Sequence, residues 1–226
     1  MYIIEIENLC KEYKKIRVLE NINLSIEKGK IYGLVGENGA GKTTLLKIIC
    51  GLTKKTSGLV KIKNIDLETF IKKHKEIGVS IENPAVYPYL TAQENLEIQE
   101  KLIGNHREDN AQKILNLVGL KGNNLKVEKY SLGMKQRLAL GLALVGEPSI
   151  LILDEPFNGL DPIVIEDMIK LLKQLKTEDI TIIISSHMID DLLELVDVID
   201  VMKNGSIIKE VFLKELVDTD IKTYLV

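Results

Sequence analysis

Residues 31–44 read Ile31-Tyr32-Gly33-Leu34-Val35-Gly36-Glu37-Asn38-Gly39-Ala40-Gly41-Lys42-Thr43-Thr44. Ile31 to Val35 is a short apolar strand. Lys42 to Cys50 has the apolar spacing of a helix, and Gly51 stops it. Gly36 to Thr43 between them fits GxxxxGK[ST], with a strand before it and a helix after it, as the mechanism of that motif requires. Glycines let the backbone curl until its N–H groups point inward at an anion. The helix opening at Gly41 adds its dipole. Lys42 supplies a point charge for β- and γ-phosphates, and the Thr43 hydroxyl can ligate Mg²⁺. This stretch predicts a nucleotide phosphate site.

Outward from the loop, residues 2–7 alternate around Ile4 and Ile6, and Val18 to Ile26 alternates likewise, so each reads as a strand with one buried face. Lys28-Gly29-Lys30 is a turn. Leu59–Lys63 and Ile77–Ile81 read as two more strands. From Thr91 to Val145 the pattern is helical: Thr91-Ala92-Gln93-Glu94 is a capping box, Glu108 to Val118 is a helix closed by Gly119, and Leu132 to Val145 is another. Strands resume at Ile150–Leu153, Ile180–Ser185 and Val196–Met202, separated by helical patterns at 162–176 and 188–195. Lys203-Asn204-Gly205-Ser206 is a hairpin signal. Strands alternating with helices imply a mostly parallel sheet covered on both faces. The predicted organisation is one α/β domain over 1–226. Its core is 1–85 and 148–226, with an antiparallel β part at the N-terminus, and a helical subdomain is inserted at 86–147.

The chain has 226 residues, 30 Lys plus Arg against 33 Asp plus Glu, and a net charge of −3. That length suits one core, and near-neutral charge argues against a nucleic-acid partner. Cys10 and Cys50 cannot make a disulfide framework, so a reducing compartment is expected. The longest apolar run, Leu138 to Val145, is about eight residues, short of the roughly 20 that span a bilayer. Glu5, Glu7 and Glu12 stand where a signal peptide would be basic and then apolar. The expectation is a soluble chain that keeps its N-terminus and can attach to a membrane protein. His74 and His106 have no catalytic context, no His/Cys cluster has metal-ligand spacing, and the run Lys72, Lys73, His74, Lys75 reads as a solvated helix face.

Leu151-Ile152-Leu153-Asp154-Glu155-Pro156 ends a buried strand with two carboxylates. Asp154 suits Mg²⁺ coordination through water. Glu155 suits a base for an attacking water.

Three further segments complete a pattern. Ser131-Leu132-Gly133-Met134-Lys135-Gln136-Arg137 opens a helix, Asn158-Gly159-Leu160-Asp161 follows the carboxylates, and His187 follows the strand ending at Ser185. In this order they resemble the ATP-binding cassette (ABC) ATPases, over nearly the whole chain from Tyr13 to about Gly205. The resemblance implies a P-loop NTPase fold of the ABC type and ATP hydrolysis. It implies a head-to-tail dimer in which ATP lies between the Gly36–Thr44 loop of one copy and Ser131 and Gly133 of the other. His187 would hold the γ-phosphate and the water, Asp161 would lie at the dimer seam, and Tyr13 would stack on adenine.

Two positions depart from the family pattern. Leu132 replaces a glycine of the common LSGGQ, so the backbone there must tolerate a Cβ. Glu82 ends the strand that usually ends in glutamine, at the position expected to touch Mg²⁺ and relay to the transmembrane partner. Ile81-Glu82-Asn83-Pro84-Ala85-Val86-Tyr87-Pro88, taken with the 130–137 segment, looks like the antimicrobial-peptide export branch: bacitracin-resistance and lantibiotic-immunity transporters. The expectation of no appended domain after Val226 makes it look more similar to the lantibiotic-immunity ATPases. Pro84 to Leu96 would dock a separate permease, holding the chain on the cytoplasmic face of the membrane. The alternative is a non-transport ABC ATPase, such as a cell-wall-regulating mechanotransmitter or a cluster-assembly scaffold.

Overall fold

A computed structural model describes residues 1–73, 76–82, 86–104, 107, 109–177 and 180–215. His74, Lys75, Pro84, His106, Glu108 and the chain end at Val226 lie outside the described residues. The alternating N-terminal stretches form β1 (Tyr2–Tyr13) and β2 (Ile16–Glu27), an antiparallel hairpin. Both strands run beyond the apolar alternation, because Lys14 and Lys15 close the hairpin at φ 45° and 72°. Two positive-φ residues match the twist of paired strands. Then come β3 (Ile31–Val35), α1 (Lys42–Ile49), β4 (Ser57–Ile62), β5 (Ile65–Asp66), α2 (Leu67–Lys73) and β6 (Ile77–Ser80). No element is legible in the sequence at β5, and α2 is legible only at its basic end, Lys72 and Lys73, as a helix face.

The stretch between β6 and the next strand carries only helices among the described residues: α3 (Ala92–Ile103), α4 (Asn110–Leu117), a single 3-10 turn at Val127–Lys129 and α5 (Leu132–Leu144). Thr91 caps α3 with the full reciprocal capping box. Gly104 and Gly119 follow α3 and α4 in the left-handed conformation, the usual way to end a helix. The chain returns through β7 (Ile150–Asp154), α6 (Pro162–Thr177), β8 (Thr181–Ser186), α7 (Asp190–Leu193), β9 (Val198–Lys203) and β10 (Ser206–Phe212). The helix at 188–195 is shorter than its pattern, four residues long. The β9–β10 hairpin turns at Asn204 and Gly205, φ 50° and 80°.

Two sheets result. One has order β2-β1-β4-β5 and the other β10-β9-β3-β8-β7-β6. Every pairing in the first is antiparallel, and in the second only β10 runs against its neighbour. Adjacent strand residues face opposite sides, so the six-stranded sheet feeds two cores. Ile31, Val35, Leu151, Leu153, Ile182 and Ile184 pack toward α3–α6. Tyr32, Leu34, Ile150, Ile152 and Ile183 pack toward α1 and the antiparallel sheet. Two contacts hold the helical segment against this frame. A Cβ on Gly78 of β6 would sit 2.3 Å from the Ala143 carbonyl oxygen of α5, so only glycine admits that approach. Arg137 of α5 donates to Asp167 of α6 at 3.0 Å and to the Val118 carbonyl at 3.2 Å.

One residue breaks the apolar run of β9. Asp200 is 2% exposed between Val198 and Met202. Burial pushes its carboxyl up to about 8, and Glu210 adds to the rise. An unfolded aspartate titrates at about 3.9. Between those values the unfolded chain gives up a proton that the folded chain keeps, so this residue's contribution to stability falls as pH rises through that window. Asp200→Asn removes the effect. It is expected to raise Tm above wild type by at least about 2–4 °C at pH 9 and to change it little at pH 4, read by thermal unfolding.

Candidate active site

The loop 36–43 starts where β3 ends, at the same edge of the sheet as the ends of β7 and β8. In-register pairing puts Val35 beside Ser186 and Asp154 beside Ser185. The Gly36 N–H donates to the Ser186 carbonyl at 3.3 Å, and the Gly205 N–H donates to the Ala40 carbonyl at 3.0 Å. The loop is thus tied to β8 on one side and to the β9–β10 turn on the other. A Cβ on Gly36 would lie 2.3 Å from the Met202 carbonyl oxygen, so the motif's first glycine is demanded by backbone approach.

Lys42 is 5% exposed. Its ammonium donates to the carbonyls of Gly36 at 2.6 Å and Glu37 at 3.2 Å, and it lies 3.3 Å from Glu155 Oε1. The other oxygen, Oε2, is 2.8 Å from His187 Nδ1 and accepts from the His187 N–H at 3.3 Å. One carboxylate therefore joins the phosphate loop to the residue after β8. Glu155 reaches this place from a left-handed backbone, φ 49°. That conformation costs a non-glycine residue about 1–3 kcal/mol and concentrates at functional sites.

The neighbouring acid is held just as firmly. Asp154 Oδ2 accepts from the Thr43 hydroxyl at 2.8 Å and Oδ1 from the Ser185 hydroxyl at 2.5 Å. The same Ser185 oxygen accepts the Glu155 N–H at 2.9 Å. Ser185 orients both carboxylates. It was not singled out from sequence, because its role depends on strand register; the polar end of an otherwise Ile-rich strand was the available signal. Burial pushes the Cys50 thiol up to about 12, with Asp154 adding to it. Thr43 and Asp154 offer oxygen donors, which suit a hard cation. Among the described residues no three His, Cys, Asp or Glu group to hold a metal. An ion here would complete its shell from phosphate oxygens and water, the usual mode of Mg²⁺.

The remaining candidates lie apart from this network. Glu82 is in a left-handed bend at φ 57° and pairs with Lys47 at 2.5 Å. Lys47 stands four residues after Thr43 on α1, one turn along the same face. Tyr13 is half-exposed at the tip of β1, with the Lys11 ammonium 4.3 Å from its ring centre. Ser131 caps α5, its hydroxyl accepting the Met134 N–H at 3.3 Å. Gly133 packs on α6, where an added Cβ would stand 3.0 Å from Val164. Leu132 is the first residue of α5 and has no positive φ among the described residues, so its Cβ fits without strain. Asp161 caps α6 by accepting the Val164 N–H at 3.2 Å.

Known proteins are similar to this chain in sequence and in fold. The family profile described as "ABC transporter" matches residues 19–158. The bacitracin transport ATP-binding protein BcrA of Enterococcus faecalis is 45% identical over 218 residues, covering 95% of this chain and 71% of its own. The lantibiotic transport ATP-binding protein SrtF of Streptococcus pyogenes is 42% identical over 210 residues, covering 92% and 90%. Among solved structures, the ATP-binding cassette MJ0796, a dimer bound to ADP and Pi, superposes with a TM-score of 0.84 at 30% identity, over 94% of this chain and all of the other. The Clostridium perfringens protein cbiO1, part of the transporter complex cbiONQ, gives 0.84 at 31% identity over 95% and 90%.

Ser185→Ala removes the group that both Asp154 and Glu155 lean on. Hydrolysis of nucleotide is expected to slow by about 10–100-fold, the usual effect of losing an orienting partner, with nucleotide affinity little changed. Steady-state kinetics beside equilibrium binding checks the split.

Proposed function

The chain belongs to the ABC transporter family, and from that premise we propose that it is the ATPase subunit that drives a separate membrane permease exporting antimicrobial peptides. The observation that carries the site assignment is the convergence of Lys42, Glu155 and His187 beside the Thr43–Asp154 pair. A β,γ-phosphate entering the loop takes over the Lys42 ammonium from the Gly36 and Glu37 carbonyls. Tyr13 stacks on the base once Lys11 yields one ring face. The backbone N–H groups from Gly36 to Thr44 surround the phosphates. Glu155, released from Lys42, accepts the proton of the attacking water, and His187 hydrogen-bonds the γ-phosphate and that water. Thr43 and Asp154 would hold Mg²⁺, which would neutralise charge developing on the phosphate oxygens. Glu82, now paired with Lys47, would join them as a further oxygen donor.

The second half of the site comes from another copy of the chain, packed head to tail. Ser131 and Gly133 present the N-terminus of α5 to the γ-phosphate, where orphan N–H groups favour an anion. Asp161 sits at the seam. The helical segment 86–147 acts as a subdomain that carries this surface. The permease docks along Pro84–Leu96. Of that stretch, Tyr87 and Tyr89 are exposed and stack edge to face, 6.1 Å between centres, just before α3. Among the described residues no helix is long and apolar enough to cross a membrane, so the chain would reach the cytoplasmic face through the permease. The peptide-export reading rests on relatives named for bacitracin and lantibiotic transport.

Single-turnover hydrolysis and ATP-binding titrations test these roles. Glu155→Gln is expected to lower the hydrolysis rate by at least about 10²–10⁴-fold while ATP affinity stays within a few-fold, because base chemistry is lost and binding is kept. Lys42→Ala is expected to lose about tenfold or more in ATP affinity itself. Glu82→Gln should bind ATP as wild type does; loss of binding there would remove Glu82 from the relay.

A further inference from the structure

The strand β9 turns Asp200 toward the antiparallel sheet, on the face that carries Val198 and Met202 into the second core. Asp200 is 2% exposed, and among the described residues no hydrogen bond or ion pair reaches its carboxyl group. Glu210 of β10 stands directly opposite in register. Residues paired this way share a face, and like charges so placed repel. Both line a cleft of about 410 Å³ between the two sheets, which Glu7 and Glu27 also line. Lys30, whose ammonium lies 5.8 Å from the Phe212 ring centre, is engaged with Glu27 at 2.8 Å. Four carboxyl groups thus surround a cleft whose deepest member has no counter-charge. An unpaired buried carboxylate is costly, and the two remedies are a proton and a cation.

The lining narrows the kind of cation. Among the described residues no three acidic, His or Cys side chains group to hold a metal ion. The walls include Leu24, Ile207 and Phe212, with the Tyr32 ring beside Asp200. Such a mixture suits a ligand with a charged head and a hydrocarbon body, and aromatic faces favour organic cations. We propose that this cleft binds a small aliphatic amine as its ammonium ion, the head on Asp200 and the chain along Leu24, Ile207 and Phe212. A diamine also meets Glu27 or Glu210 at the mouth.

Protonation supports the pairing. Asp200 holds its proton up to about 8, whereas an alkylammonium keeps its charge to about pH 10. Glu7, Glu27, Tyr32 and Glu210 are the other titratable groups lining the cleft. Binding is strongest between those two limits and weakens as Asp200 takes up a proton.

Isothermal titration of the full chain without nucleotide, at about pH 8.5 where both charges are present, uses n-butylamine and diaminobutane as probes. Saturable one-to-one binding is expected, with a rise in Tm. Asp200→Asn should weaken it about tenfold or more, the worth of a charge-assisted contact, and Glu210→Gln should weaken diaminobutane more than n-butylamine. Absence of saturable binding overturns the proposal. So does an equal Tm rise from KCl at matched ionic strength, unchanged binding in Asp200→Asn, or Mg²⁺ alone binding in an Asp200-dependent way. Asp200 lies outside the nucleotide site, so ATP binding by Asp200→Asn reports on that site separately.

Discussion

The contact between Lys42 and Glu155 is the constraint on which the site depends. An ammonium that is 5% exposed needs acceptors and a counter-charge. Two carbonyls of its own loop and one carboxylate supply them. That carboxylate is available only because Glu155 adopts a left-handed backbone at the end of β7 and because Ser185 anchors its N–H. The contact therefore ties three strand ends together: β3 through the loop, β7 through Glu155 and β8 through Ser185 and His187. Each strand is buried on both faces, so the ends are fixed by the two cores rather than by the loops themselves.

The same contact explains how binding and chemistry share one lysine. In the proposed mechanism a phosphate would compete for the ammonium with groups already in place and would release Glu155 to act as a base. Recognition of phosphate and readiness of the base would then be one event. The His187 ring and N–H both meet Glu155 Oε2, contacts that would keep the carboxylate positioned through the exchange. Glu82 stands in a parallel arrangement one helical turn away, held by Lys47.

Much of this was legible in the sequence where local chemistry decides the outcome. The glycine spacing before Lys42, the capping box at Thr91 and the apolar runs of β3, β7 and β8 each fix their own structure. Other features depend on contacts distant in sequence. Ser185 matters because parallel register sets it beside Asp154. Glu155 reads as a base from the sequence, but the left-handed backbone that aims it at Lys42 is not legible there. The need for glycine at position 36 comes from Met202, far along the chain. The shortened α7 reflects an apolar pattern spent on turns that pack Leu192 and Leu195 rather than on a continuing helix. Asp200 is a polar residue in an apolar run, and its surroundings come from both sheets.

Two such networks, one in each copy, are expected to close on two ATP molecules. Light scattering after size exclusion of Glu155→Gln, with and without ATP and Mg²⁺, measures this. A monomer is expected without ATP and a dimer with it, because ATP binds and is not consumed. A variant that binds ATP and stays monomeric would contradict the shared site.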